Sequence, residues 1–387
     1  MELAQNLAGP YCGRILSDLG AEVVKVEPLG GDAARFWGPP HYTGEGTLFA
    51  AANAGKRSLA LDLRSPVGFG VLERLLEGAD VLLQALRPGA LAAMGLDWET
   101  LNGRHPRLVY ASVLAYGEEG PLADLPGYEP LMQAHAGIMS YTGEADGPPV
   151  RVGTSVVDLG TGMWTAVAVL AALRERDRTG EGSRVSGALF DTALAWSGYH
   201  LLAALDGTVA GRSGTGLPMI CPYGVFETRD GALMVAVGND AIFRRFCPVL
   251  GLDDLAADPE LATNAGRVAQ RARVEKRTVE AMAACAEAEL LARFREAGVP
   301  AAPIRDMAGV LDDPQTQASG MLAAVPHPTR ADYRTPALPF RWGGARPDPG
   351  GAPPPVGGGG RAVLAGAGYS DAEIEALMAG GTVFGTD

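Results

Sequence analysis

The chain has 387 residues, of which 47% are hydrophobic and 20% are charged. This balance supplies enough apolar side chain to bury a core and excludes an intrinsically disordered protein. The 45 acidic residues exceed the 32 basic ones and give a formal net charge of -13, which opposes nonspecific binding to nucleic acid or to an anionic membrane.

The cysteines and histidines are scattered along the chain, and neither set shows the short spacings of a zinc site or a disulfide framework. The N-terminal residues MELAQNLAGPYCGRIL lack the basic start and apolar run of a signal peptide. We therefore expect a cytoplasmic protein that needs no metal.

Helices and strands alternate in the first part of the chain. In order, the pattern predicts a helix at 10–19, strands at 21–28 and 57–63, a helix at 68–78, a strand at 79–86, two short helices, and a strand at 107–117. This alternation predicts an α/β fold with a parallel sheet. Ligands usually bind beyond the carboxyl ends of such strands, here the segments after Glu27, Asp62, Leu86 and Tyr116.

Three common nucleotide or hydrolase signatures are missing from the sequence. No strand is followed by Gly-x-Gly-x-x-Gly, which argues against a Rossmann dehydrogenase. The Walker phosphate loop and the Gly-x-Ser-x-Gly elbow of serine hydrolases are also missing.

The composition changes in the second half of the chain. Residues 225–237 read as a β-hairpin around Asp230-Gly231, and residues 241–297 as largely helical. These features predict a second, smaller α+β domain. Residues 346–361 are rich in proline and glycine and predict an extended connector, and a capping-box pattern at Ser370 starts a final helix.

Asp158 is the only charged residue in the apolar stretch 152–173. Burying a carboxylate among apolar side chains costs free energy unless hydrogen bonds or opposite charges compensate for it, so its presence here suggests a functional role. The simpler interpretation is a first-turn acid that favours the helix dipole. Glycines at 153, 160 and 162 suggest that a bulky ligand approaches this backbone, which makes Asp158 a candidate nucleophile.

Many segments together resemble the family III CoA-transferases, the group of formyl-CoA and carnitine CoA-transferases. The matching segments cover nearly the whole chain in order. They include LAGPYCGRILSDLGAEVVKVEP, GKRSLALDLRSP, RPGALAAMGLDWETL, HPRLVY, GYEPLMQAHAGIMSYTG, GPPVRVG, VVDLGTGM, CPYGVFETRDG, VAVGND, ATNAGRV, GVPAAPI and GYSDAEIEALMAGG.

The resemblance implies an α/β fold with a large Rossmann-like domain, a smaller α+β domain and two chains interlocked like links. Residues 1–210 would form the N-terminal part of the large domain, and 211–320 the small domain with its linkers. Residues 321–387 would return to the large domain. Sequences of this family usually begin with several more residues that form the first strand, so the resemblance implies that this chain starts short or that its start codon was assigned late.

The resemblance also implies that Asp158, in the segment with Thr161 and Gly162, is the catalytic nucleophile. It would form an aspartyl anhydride and then an aspartyl-CoA thioester, without a cofactor, while CoA passes from an acyl-CoA to a carboxylic acid. Backbone amides near Gly160 or in the second domain would stabilise the oxyanions.

Further residues are implied to bind CoA or to adjoin the nucleophile. They are Leu7, Ala8, Leu61, Arg64, Ala85, Leu86, Arg87, Tyr128 and Glu129. Arg64 and Arg87 are the cations expected against the CoA phosphates. The chain departs from the family at Gln84-Ala85-Leu86, at Ala93 and at Pro28, which predicts a weaker hold on CoA or one arranged through other residues.

Two other functions fit parts of the pattern. An α-methylacyl-CoA racemase resembles this fold but uses a histidine where the chain has Tyr128, and a tyrosine is a poor partner for that proton transfer. A non-catalytic CoA-binding protein would not need Asp158. Within the transferase interpretation, no motif selects the two acids, although several relatives use small dicarboxylates such as succinate, malate or oxalate.

Overall fold

The chain folds into fourteen strands and nineteen α-helices, and the computed structural model describes every residue from Met1 to Asp387. The strands are β1 Glu2–Leu3, β2 Val24–Glu27, β3 His41–Tyr42, β4 Glu45–Gly46, β5 Arg57–Leu61, β6 Val81–Gln84, β7 Val109–Leu114, β8 Arg184–Ala188, β9 Tyr223–Glu227, β10 Ala232–Ala236, β11 Ala301–Pro303, β12 Leu322–Ala324, β13 Arg334–Pro336 and β14 Val383–Phe384. The helices are α1 Ala8–Asp18, α2 Thr47–Asn53, α3 Pro66–Glu77, α4 Ala90–Ala93, α5 Trp98–Arg104, α6 Glu129–His135, α7 Ile138–Tyr141, α8 Val156–Thr179, α9 Leu189–Trp196, α10 Gly198–Leu205, α11 Asp240–Val249, α12 Asp253–Ala257, α13 Asn264–Ala269, α14 Arg271–Ala283, α15 Glu287–Glu296, α16 Met307–Asp312, α17 Pro314–Ser319, α18 Gly360–Gly366 and α19 Asp371–Ala379.

A seven-stranded sheet has the order β14-β5-β2-β1-β6-β7-β8. All neighbouring strands are parallel except β14, which runs antiparallel to β5. The six parallel strands follow the 3-2-1-4-5-6 order of doubly wound α/β folds, whose ligands bind where the order reverses. The predicted parallel α/β sheet is confirmed. Its central strand β1 has two residues, and it pairs with both β2 and β6.

Several local signals act as the sequence predicts. The Ser65 hydroxyl accepts a hydrogen bond from the backbone N–H of Val67 at the start of α3, and Ser370 and Glu373 form the capping box of α19. The β9–β10 hairpin turns around Asp230-Gly231, and its strands pair antiparallel. These contacts satisfy backbone groups that a helix end or a turn would otherwise leave free.

Some predicted bounds are corrected. Helix α1 begins at Ala8 rather than at residue 10, and the strands are shorter than their apolar runs because only part of each run pairs with a neighbouring strand. The apolar segment after β8 forms two helices, α9 and α10, which are separated at Ser197. The Ser197 hydroxyl donates to the carbonyl of Ala193, a bond that competes with the helical ladder.

The chain clusters into two compact units. The first unit comprises Met1–Ala136, Val152–Leu201 and Pro314–Asp387, and the second comprises Gly137–Arg151 and Leu202–Asp313. Residues 137–151 and 202–210, which the sequence assigned to the large domain, therefore cluster with the second unit, and residues 314–320, assigned to the small domain, cluster with the first. The first unit has its core around the seven-stranded sheet.

The second unit has a core of its own. Its three-stranded antiparallel sheet has the order β11-β10-β9, and α11, α14 and α15 supply buried aromatic and aliphatic side chains. A fully buried arginine, Arg267, lies over the ring of Phe243 and donates hydrogen bonds to the carbonyls of Cys221 and Leu261. These bonds offset the cost of burying the charge.

Helix α8 is long and apolar enough to cross a membrane by length and composition alone. Core helices of proteins without membrane segments pass the same test. One face of α8 packs within the first unit, where residues such as Val157, Thr161, Thr165 and Val169 are buried.

Candidate active site

Two cavities lie at the carboxyl ends of the parallel strands in the first unit. One has a volume of about 420 Å³ and is lined from the ends of β1, β2, β5 and β6. Its lining residues are Leu3, Gln5, Val26, Glu27, Pro28, Leu29, Gly30, Leu61, Asp62, Leu63, Arg64 and Leu86. The other has a volume of about 230 Å³ and is lined by Leu86 and Arg87 among others. Both lie at the sheet edge where the sequence predicts a ligand.

Four of the nine residues predicted to bind CoA line these cavities, whereas Leu7, Ala8, Ala85, Tyr128 and Glu129 are not among the lining residues of either. Leu61 and Arg64 line the first cavity, and Leu86 lines both. The side chain of Arg64 is 93% exposed and forms an ion pair with Asp62 at 3.1 Å. Arg87 is also exposed, so both guanidinium groups are accessible to an anionic ligand.

The candidate nucleophile lies beside the start of α1. A Cβ on Gly162 of α8 would come within 2.5 Å of the carbonyl oxygen of Ala8. Further along the two helices, Leu16 of α1 and Val169 of α8 both line a third cavity, which is separate from the two described above. The helices therefore run in the same direction. Asp158 precedes Gly162 by one helical turn, which puts it next to the end of the β1–α1 connection, where Leu7 and the first helical residue, Ala8, are buried.

Asp158 is the third residue of α8 and is partly buried. Desolvation by burial and, second, the negative charge of Glu129 together raise the pKa of its carboxyl to about 7. No basic side chain offsets these two effects. The first-turn position agrees with the helix-dipole interpretation. A carboxyl group whose pKa lies near 7, however, is typical of a functional site rather than of a solvated helix cap.

The raised pKa predicts a stabilising substitution. A folded-state pKa of about 7 against the usual 3.8 means that the native protein loses stability as the pH rises from about 4 to 7, because only the unfolded chain ionises freely. We expect Asp158→Asn to raise the free energy of unfolding by about 2 kcal/mol above pH 7, allowing for partial exposure, with no gain below about pH 4. Urea denaturation at both pH values measures this, and an equal effect at both would contradict it.

The glycines near Asp158 have a different role from the predicted one. A Cβ on Gly160 would meet the Trp196 ring at 2.3 Å, and one on Gly162 would meet the backbone of α1. Both glycines therefore make room for protein rather than for a ligand. The Gly160 amide is also unsuited to stabilise an oxyanion, because it lies within the hydrogen-bonded ladder of α8. The amide of Asp158 itself, in the first turn, has no partner within the helix.

Tyr128 and Glu129 differ sharply in their surroundings. Tyr128 is 61% exposed, so its side chain does not belong to the core. Glu129 is buried at the start of α6, and its Oε1 accepts hydrogen bonds from Gln133 Nε2 and from the backbone N–H of Val157 at 3.4 Å. The structure thus brings Glu129, but not the ring of Tyr128, into the packing that surrounds Asp158.

Sequence reasoning missed Gln133 and a buried ionic network. Gln133 lies four residues after Glu129, so the two share a helix face, and that spacing was the available signal. Lys25 pairs with Asp32 at 2.8 Å and with Glu2 at 3.3 Å, and all three side chains are fully buried. A lysine within the apolar strand VKVE was the signal for this network.

The comparisons with known proteins agree with this architecture. Residues 1–359 match the model of CoA-transferase family III. A succinate–glutarate CoA-transferase of Agrobacterium fabrum is 39% identical over 90% of each chain, and an acetyl-CoA:oxalate CoA-transferase of Acetobacter aceti is 37% identical over 83% of each. The crystal structure of a CaiB/BaiF family protein from Brucella suis superposes with a TM-score of 0.84, at 36% identity, and the match covers 95% of this chain and 97% of that one.

The chain belongs to CoA-transferase family III. It is an enzyme of the CoA-transferase class, as the names of relatives at this level of identity show. The racemase and the non-catalytic alternatives gain no support from these relatives.

Proposed function

We propose that the protein transfers CoA from an acyl-CoA to a carboxylic acid through covalent intermediates on Asp158. The observation that carries the proposal is the Asp158 carboxyl itself. It lies at the start of α8, beside the β1–α1 connection, with its pKa raised to about 7 by burial and by Glu129. A carboxylate held without a counter-charge and poorly solvated is a stronger nucleophile than one in water.

The reaction balances with carboxylate and thiolate groups alone. The ionised Asp158 attacks the donor thioester, which gives a mixed anhydride and CoA thiolate. The thiolate attacks the aspartyl carbonyl, which gives an aspartyl-CoA thioester and the free donor acid. The acceptor carboxylate then attacks this thioester, and the released thiolate takes the acceptor acyl group and regenerates Asp158. No step transfers electrons or calls for a metal ion, so we propose that no cofactor takes part.

We propose that CoA occupies the cavities at the carboxyl ends of the sheet strands. Leu61, Arg64 and Leu86 line the first of them. The other proposed contacts are Leu7, Ala8, Ala85, Arg87, Tyr128 and Glu129. The accessible guanidinium groups of Arg64 and Arg87 support a role in binding phosphate.

Arg64→Ala and Arg87→Ala should each raise the KM for acyl-CoA about three- to tenfold and leave kcat nearly unchanged. A phosphate remote from the thioester is bound equally in the ground and transition states, so its loss weakens binding alone. Steady-state kinetics at low and high salt measures the effect, which should shrink as salt rises. Unchanged KM values at low salt in both variants would show that other residues bind the phosphates.

We propose a dicarboxylic acid as the acceptor, supported by relatives named for succinate, glutarate and oxalate. A panel of CoA thioesters against mono- and dicarboxylic acids, followed by mass spectrometry, tests both transfer and acid class. Hydroxylamine added during turnover should trap Asp158 as a hydroxamate. Turnover without this adduct would count against the covalent route, and transfer confined to monocarboxylic acids would count against the acceptor class.

We propose that the protein is an interlocked homodimer. On α8, Met163, Trp164, Val167 and Leu170 form an exposed apolar stripe, each between 42% and 52% exposed. Burying such a stripe against a second copy would be favourable. The expected result is a dimer in light scattering that persists on dilution and dissociates only as it unfolds. A compact, active monomer would contradict this.

We also propose a cytoplasmic location. The four cysteines form no disulfide, which suits a reducing compartment, and acyl-CoA substrates are charged molecules that stay where they are made. Cell fractionation with a tagged chain tests this, and recovery outside the cytoplasmic fraction would contradict it.

A further inference from the structure

A buried amide side chain joins two elements that carry the candidate active site. Gln133 of α6 is fully buried. Its Nε2 donates a hydrogen bond to Glu129 Oε1, and its Oε1 accepts one from the backbone N–H of Val152 at 2.8 Å. The same side chain therefore contacts both the acidic neighbour of Asp158 and the segment that leads into α8.

These two contacts fix the orientation of the amide. A backbone N–H can only donate, so the atom that faces Val152 must be the carbonyl oxygen of Gln133, and the amino group must then face Glu129. Gln133 thus holds a negative charge in place next to the nucleophile.

The start of α8 depends on α6 rather than on its own cap. The cap residue Ser155 makes no side-chain hydrogen bond to the first turn. Glu129 Oε1 instead accepts from the N–H of Val157, the residue before Asp158. With Gln133 bound to Val152, α6 contacts the chain on both sides of the α8 start.

We propose that Gln133 is a positioning residue for the nucleophile Asp158. It holds the approach to α8 through Val152 and orients Glu129 against Val157, so that the carboxyl of Asp158 meets the thioester in one geometry. This inference rests on the proposed function of Asp158. It adds a residue that acts on catalysis without touching either substrate.

The first test replaces Gln133 with methionine, which is similar in length and removes both hydrogen bonds. We expect kcat to fall about 10- to 100-fold with KM for acyl-CoA within about threefold, since displacing a reacting group by 1 Å costs about this much. The control is Thr278→Val in the second unit, which removes a buried hydrogen bond of 2.9 Å to Val274. It should lower the melting temperature and leave kcat unchanged.

The second test, Gln133→Glu, has a readout that folding alone would not produce. When protonated, the new side chain can donate to Glu129 and accept from Val152, as glutamine does. When ionised, it repels Glu129. We expect the ratio of its kcat/KM to that of the wild type to fall at least about tenfold between about pH 6 and 8.5, while the folded fraction stays constant.

The titratable groups around this pair lie on α6, α8, α9 and the segment before α8. Helix α6 also carries His135, which packs against the rings of Tyr116 and Phe190. Asp158 lies on the first turn of α8, and Asp191 lies on α9, which packs against α6. Neither α6, α9 nor the first turn of α8 contains a lysine or arginine, but Arg151 directly precedes Val152, whose N–H bonds to Gln133. The pH dependence of the variant should therefore come from the new carboxyl group among the charges of Glu129, Asp158 and Arg151.

The assays include the wild type and Asp158→Ala in parallel. A kcat within about twofold of wild type in folded Gln133→Met, or a pH-independent ratio for Gln133→Glu, overturns the role of Gln133 while the nucleophile assignment stands. If Gln133→Met does not fold, the pH dependence of the kcat/KM ratio between Gln133→Glu and the wild type decides whether Gln133 has this role. Full activity in Asp158→Ala overturns the proposed function and this inference with it.

Discussion

Asp158→Ala should abolish CoA transfer, with kcat reduced by at least about a thousandfold, because the proposed mechanism forms both covalent intermediates on this carboxyl group. The fold and CoA binding should persist, since the aspartate makes no ion pair and its burial raises the pKa of its carboxyl rather than stabilising the protein. Turnover of purified protein with an acyl-CoA and a dicarboxylic acid measures the loss.

A matched control is Asp253→Ala, which removes another first-turn aspartate, this one exposed on α12 in the second unit. It should leave kcat unchanged. Residual turnover of Asp158→Ala within about tenfold of wild type, equivalent to only about 1.4 kcal/mol of barrier, would contradict the nucleophile assignment.

Among the variants proposed here, Lys25→Met should lower the free energy of unfolding the most, by about 3–5 kcal/mol. Removing one member of a buried ion pair leaves the other charge buried and uncompensated. Lys25 lies between Glu2 and Asp32, and its Nζ also donates to the carbonyl of Ala4 at 2.6 Å. Although burial alone lowers the pKa of Lys25, the two carboxylates raise it above its usual value. Denaturant unfolding, monitored by circular dichroism, measures the effect.

Two further variants separate the charge effect from packing. Lys25→Met combined with Asp32→Asn should recover part of the loss, since no unpaired aspartate remains. Arg57→Met, which breaks the exposed pair with Glu22 at 2.7 Å, should cost less than about 1 kcal/mol. A loss below about 1 kcal/mol in Lys25→Met itself would show that the network contributes little.

The sequence predicts the α/β sheet well because its strands are short apolar runs separated by clear helix caps, such as Ser65 before α3 and Asp97 before α5. It also selects Asp158, since one charge in a long apolar segment stands out in any pattern. These signals are local. Each of these signals depends only on residues that are near one another in the sequence.

The packing around the site is not local and could not be predicted in the same way. Gly160 and Gly162 suggested space for a ligand, but Trp196 and α1 occupy that space. Gln133 and Val152 are nineteen residues apart, and Lys25 meets Glu2 only because two strands are neighbours in the sheet. Such contacts depend on the tertiary fold, which periodicity does not specify.

The measurement that tests the central claim most directly follows oxygen through Asp158. In the proposed route, the acceptor acid attacks the aspartyl-CoA thioester through a carboxylate oxygen, and that oxygen stays on the aspartate when the anhydride is cleaved. A single turnover with an acceptor labelled with oxygen-18 in its carboxylates is followed by proteolysis and mass spectrometry. The account predicts one labelled oxygen atom in the Asp158 side chain and none in Asp253. Complete transfer of CoA with an unlabelled Asp158 would contradict it.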